Sequence, residues 1–190
     1  MTARPHPSSQ TRYQSMSIPK GTLGECGLKG IVVYDSYFGN TKKVAETIVE
    51  QIKAEGHEAE IRSVKEDYPS PLQGDFIFVG SPNRMGGVTG RTKRFVKRLD
   101  LATWKDKPMA VFATVAAPSK AEETEKERQS YEKWALRAAP KLRDLAKARG
   151  LNVVDAVLSV GVKDQKGPLV DDGLEKTKQF AHEFLQALKK

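Results

Sequence analysis

The 190 residues predict an α/β domain built on a parallel sheet that helices cover on both faces. Three observations lead there. Short runs such as "GIVVYDS" (30–36), "DFIFVGSP" (75–82) and "KPMAVFATVAA" (107–117) have the length and apolar content of strands buried on both faces. Amphipathic segments of helical period lie between and after them. The two kinds alternate, which implies right-handed crossovers and parallel pairing.

Residues 1–28 are rich in Ser, Pro, Thr, Gly and Gln and lack apolar periodicity, so they read as a flexible leader to a domain spanning 29–190. The first strand, "GIVVYDS", leads into a helix with Val44, Ala45, Ile48, Val49 and Ile52 on one face, ending at Gly56. "HEAEIRSV" (57–64) alternates with many polar residues, as an edge strand does. "SVKEDYPSPLQG" (63–74) reads as an irregular connection, because Pro69 and Pro71 disfavour a long helix. "DFIFVGSP" is the next central strand, and "VTGRTKRFVKRLD" (88–100) reads as one helix. "KPMAVFATVAA" is the fourth strand, residues 122–149 hold one or two helices, and "LNVVDAVLSVGV" (151–162) is the fifth strand. Leu174, Thr177, Phe180, Ala181, Phe184, Leu185 and Leu188 mark a closing helix.

Composition narrows the function classes. Hydrophobic residues make up 38% of the chain, enough for one core. No apolar run approaches the ~20 residues of a membrane span, and no apolar segment near the N-terminus suggests a secretory signal. The single cysteine, Cys26, allows no internal disulfide, and His6, His57 and His182 show no metal-ligand spacing. A reducing cytoplasm is the expected compartment. The net charge is +8, and residues 84–107 carry eight basic side chains against two acidic ones. Those basic residues lack interleaved aromatics, which argues against a nucleic-acid partner.

The chemistry concentrates at the ends of the central strands. In sheets of this class ligands bind beyond the carboxyl ends of the strands, a general rule rather than a deduction from these residues. Three segments fall there: 35–41, 80–87 and 113–119. The first joins strand to helix through Ser36, Tyr37, Phe38, Gly39, Asn40 and Thr41, with no lysine or arginine. Gly39 allows close backbone approach, the helix start presents unpaired N–H groups, and Ser36 and Thr41 add hydroxyl donors. Such a turn suits a phosphate monoester held by fixed dipoles. A plain N-capped turn is the rival reading. A P-loop is excluded, since no Gly-Lys-Ser/Thr follows.

The stretch "VVYDSYFGNTKKVAETI" (32–48) resembles the flavodoxin signature, with Val33, Tyr34, Ser36, Gly39, Thr41, Ala45 and Ile48 on its specified positions. "GSPNRMGG" (80–87) is similar to the flavin-ring loop of flavodoxins and of quinone reductases with that fold, and "ATVAAPS" (113–119) has the place of the third loop. The resemblance covers residues 29–190. It implies a three-layer α/β/α sandwich with a five-stranded parallel sheet, order 2-1-3-4-5, of the short-chain type. It also implies non-covalently bound FMN. Ser36, Tyr37, Phe38, Gly39, Asn40 and Thr41 would form the phosphate cradle. Ser81, Pro82, Asn83, Arg84, Met85 and Gly86 would hold the ring, with Thr114, Val115 and Ala116 on its other side. No side chain need act as acid or base, because the flavin carries the chemistry.

Two departures stand out. Flavodoxins usually stack aromatics on both faces of the ring, whereas the second loop here offers Met85 and the third offers none; Tyr37, Phe38 and Trp134 are the available substitutes. Electron-carrier flavodoxins are commonly acidic, and this chain is basic. On a wheel of 88–100, Thr92, Phe95, Val96 and Leu99 face one side, and Arg91, Lys93, Arg94, Lys97 and Arg98 the other. The leading expectation is an FMN protein passing electrons between redox partners, one of them an acidic protein or NAD(P)H. The alternatives are an FMN-dependent NAD(P)H:quinone-type oxidoreductase and a flavin-free binding or regulatory module of the same fold.

Overall fold

The computed structural model describes residues 27–66, 72–117, 125–163 and 166–189. The leader apart from its last two residues, Cys26, Pro69, Pro71, Pro118 and Ser119 lie outside them. In chain order the elements are β1 (Lys29–Tyr34), α1 (Asn40–Ala54), β2 (Glu58–Ser63), β3 (Phe76–Pro82), α2 (Gly90–Arg98), α3 (Leu101–Trp104), β4 (Met109–Ala116), α4 (Glu125–Trp134), α5 (Ala138–Ala148), β5 (Val153–Val162) and α6 (Gly173–Leu188). All pairings are parallel and the sheet order is β2-β1-β3-β4-β5, as expected. β2 lies at one edge, which fits its polar alternation.

Strand alternation sorts the core into two layers. Ile31 and Val33 of β1, Ile77 and Val79 of β3, and Val111 and Ala113 of β4 face α2, α3 and α5, where they meet Val96, Trp104 and Leu142. Val32, Phe76, Phe78, Ala110 and Phe112 point the other way and pack on α1 and α6. There Phe184 meets Phe78 edge-on with ring centroids 4.7 Å apart, and Phe76 at 5.6 Å. The closing helix therefore buries the face read from its sequence: Thr177, Phe180, Ala181, Phe184 and Leu185 are all buried.

The segment 88–100 holds one helix, as read, trimmed to α2, and the short helix that follows it was not read from the sequence. α2 ends at Arg98, and Asp100 caps a separate short helix by accepting from the Ala102 and Thr103 N–H groups. That cap bends the chain and drops Trp104 into the core, 2% exposed. Among the described residues no helix is long and apolar enough to cross a membrane, and no cluster of ligating side chains could hold a metal ion.

Candidate flavin site

β1 delivers the chain to the turn 35–41, and Gly39 makes the turn possible. Its φ of 90° lies in the left-handed region, where a Cβ would be strained. Gly39 is also the N-cap residue of α1, and no side chain caps that helix, so the N–H groups of its first turn keep their donor capacity. Ser36 Oγ accepts from the Gly39 N–H at 3.0 Å, which leaves the hydroxyl proton of Ser36 free to donate. Thr41 and Thr114 pair their hydroxyls at 2.8 Å. One proton is spent between them and the other remains for a ligand. The Asn40 side chain donates to the Gly167 carbonyl at 2.9 Å and pins the β5–α6 connection onto the start of α1.

The second loop is a tight reversal. Arg84 and Gly87 exchange backbone hydrogen bonds of 2.7 and 3.1 Å around Met85 and Gly86, whose φ values are 50° and 72°. Two successive positive φ values are the mark of a type I′ turn, which Gly accepts and Met does so only with strain. A Cβ on Gly86 would also stand 2.8 Å from the Trp134 ring. Asn83 N–H donates to the Thr114 carbonyl at 2.7 Å, which ties this loop to the third.

Together the three loops enclose a cavity of about 350 Å³, within the size of small-molecule sites. Of the expected residues, Ser36, Tyr37, Phe38, Asn40, Thr41, Pro82, Asn83, Arg84, Met85, Thr114, Val115 and Ala116 line it. Gly39 and Gly86 instead shape the turns. Ser81 is fully buried and turned away, donating to the Pro82 carbonyl and accepting from the Thr89 N–H. Val162, at the end of β5, completes the lining and was not foreseen from sequence. Only the register of β5 against β4, which sets Val162 beside Ala116, shows that it reaches the cavity.

Sequence reasoning also missed the support beneath the loops. Asp35 is fully buried and accepts from Thr89 Oγ1 at 2.6 Å and from Arg91 Nε and a terminal guanidinium nitrogen at 3.1 Å each. Arg91 therefore differs from the other cations of α2: it stays partly exposed but is tied to the end of β1. The Asp35 carboxylate holds the Arg91 proton more tightly than usual against the opposing effect of burial, with Tyr37 adding to it. Arg91 and Arg84 also lie over the Tyr37 ring, at 4.8 and 5.0 Å from its centroid.

A group with a phosphate at one end and a flat apolar ring at the other fits this donor set. Neutral donors gather at the turn and the start of α1, while Pro82, Met85, Val115, Val162 and the half-exposed Tyr37 and Phe38 supply apolar walls. A family model described as a flavodoxin domain matches residues 31–154, well over half of the chain. The chain belongs to the flavodoxin family. Flavodoxins bind flavin, usually FMN, and transfer electrons to redox partners. A flavodoxin of Aquifex aeolicus (strain VF5) is 43% identical over 72 residues, which are 35% of this chain and 37% of that protein. The match thus spans little more than a third of that relative. A flavodoxin from the domain Archaea superposes with a TM-score of 0.64 at 21% identity, covering 85% of this chain and 99% of that one. Oxidised flavodoxin 1 of Bacillus cereus gives 0.62 at 24% identity, covering 83% and 97%. At these identities the structural likeness speaks to fold alone. From the third loop, Thr114, Val115 and Ala116 line the cavity.

Proposed function

We propose that the cavity holds FMN non-covalently and that the protein carries electrons between a donor and an acceptor. The flavin supplies the redox chemistry when bound. The chain's own residues bind and orient it. Ser36, Thr41, Thr114 and the first-turn N–H groups of α1 take the phosphate, while Pro82, Asn83, Arg84 and Met85 hold one side of the ring and Val115 and Ala116 the other. The observation that carries this reading is the uncapped start of α1 with free hydroxyl protons beside it, at one end of an otherwise largely apolar cavity. Purified protein should be yellow, or become so on FMN titration with quenching of flavin fluorescence. Protein that stays colourless at saturating FMN would select the flavin-free module.

A second reading has support from the open ring end of the cavity. Among the described residues no aromatic of the third loop covers it, and Met85 stands 98% exposed, which leaves room for a small substrate. Rapid oxidation of NADPH with a quinone by the flavin-loaded protein would favour an FMN-dependent NAD(P)H:quinone oxidoreductase over a carrier.

A further inference from the structure

We infer that the rim of this cavity is a docking surface for an acidic redox protein; the inference rests on the FMN electron-carrier reading and names its partner class. The carriers of the charge come from separate parts of the chain. Lys65, beyond β2, donates to the Ser36 carbonyl at 2.5 Å and stands 5.7 Å from the Tyr37 ring centroid. Lys141, on α5, donates to the Gly86 carbonyl at 2.5 Å. Lys166, in the β5–α6 connection, lies 5.6 Å from the Phe38 ring centroid. Arg84 stacks on Tyr37 from within the second loop. Four cations therefore gather around one opening, and two of them are fixed by carbonyls of the loops that form it.

Among the described residues none of these four makes an ion pair. The carboxylate beneath them, Asp35, is fully buried and already takes Arg91 and Thr89. An ammonium donating to one carbonyl keeps two N–H donors for another acceptor. Convergent like charges that no carboxylate among the described residues answers raise the local potential and attract acidic surfaces.

The same rim carries the large apolar side chains that stand exposed among the described residues: Tyr37 (46%), Phe38 (50%), Met85 (98%) and Trp134 (53%). FMN would cover part of Tyr37, Phe38 and Met85, and Trp134 packs beside Gly86 of the second loop. An apolar, aromatic centre inside a charged rim is the composition of a protein interface, enriched in Tyr, Trp, Met and Arg. The exposed cations of α2, Lys93, Arg94, Lys97 and Arg98, extend the positive field along the helix that leaves this loop.

Two measurements on the full chain test the inference, with cytochrome b5 as an acidic probe and cytochrome c as a basic one. In an NMR titration of isotope-labelled protein, with or without FMN, cytochrome b5 should shift the amides of Arg84 to Gly87 and the Trp134 indole N–H, and cytochrome c should not. In stopped-flow mixing of the reduced, flavin-loaded protein, the rate with cytochrome b5 should fall about tenfold or more from ~0.01 to ~0.5 M ionic strength. The triple variant Lys65→Gln, Lys141→Gln, Lys166→Gln, compared per flavin bound, should lose most of that salt dependence. Shifts confined to another face, equal response to both probes, or a salt-independent rate overturns the inference. Failure of FMN binding with retained b5 shifts at the rim strikes the carrier reading instead.

Discussion

At the residue scale the chemistry turns on a few hydroxyls and two turns. Thr41 is 1% exposed and shares its hydrogen bond with Thr114, so Thr41→Ala removes a donor to the phosphate and unsettles Thr114. A hydrogen bond to a charged group is worth about 1.5–3 kcal/mol, so FMN affinity should fall roughly 10- to 150-fold by fluorescence titration. An unchanged dissociation constant would remove Thr41 from the site. The second turn makes a prediction about stability. Met85 adopts a left-handed φ that glycine adopts freely, so Met85→Gly should raise unfolding free energy by about 1 kcal/mol in urea melts. Gly86→Ala should lower it, because the added Cβ meets both the φ of 72° and the Trp134 ring. The Gly39–Thr41 turn was legible because its spacing and small residues encode local geometry. The Asp35–Arg91 pair was not: its partners lie 56 positions apart, and nothing local in a basic helical wheel tells a solvated arginine from one locked to a buried carboxylate.

At the element scale, patterning revealed every strand: the central ones leave continuous apolar runs because both faces are buried, and β2 shows the polar alternation of a sheet edge. Helix ends were harder. The break between α2 and α3 depends on Asp100 turning its carboxylate back onto two N–H groups, a choice that residue type permits without demanding. The contact between α1 and α6 supplies a test of its own. Glu55, at the end of α1, accepts from His182 at 2.9 Å and Gln186 at 3.1 Å on α6. Burial pushes its carboxyl up, but bonds from Gln51 and His182 more than reverse that and leave it below the ordinary value. A carboxyl lowered by folding stabilises the protein above its unfolded value and loses that contribution as pH falls through the lowered one. The stability difference between the wild type and Glu55→Gln, read from urea melts across pH, should therefore shrink on acidification through the carboxylate range. A difference that holds constant with pH would show that ionisation of Glu55 adds nothing.

At the scale of the whole molecule, topology does what no single motif can. The parallel order β2-β1-β3-β4-β5 brings the ends of β1, β3 and β4 to one rim, so loops distant in sequence share one cavity. Sequence patterning gave the rim but not its closure, because the contribution of Val162 depends on the register of β5 and not on any residue preference. The net charge of +8 was visible as a sum, while its focus around the cavity mouth required the fold to assemble Lys65, Arg84, Lys141 and Lys166. All of this rests on the turn at the start of α1 gripping a phosphate dianion through neutral donors. Calorimetric titration with FMN and with riboflavin, which lacks only that phosphate, measures the grip most directly. Binding of FMN at least tenfold tighter than riboflavin is the predicted result, and equal affinity for the two, or binding of neither, would contradict it.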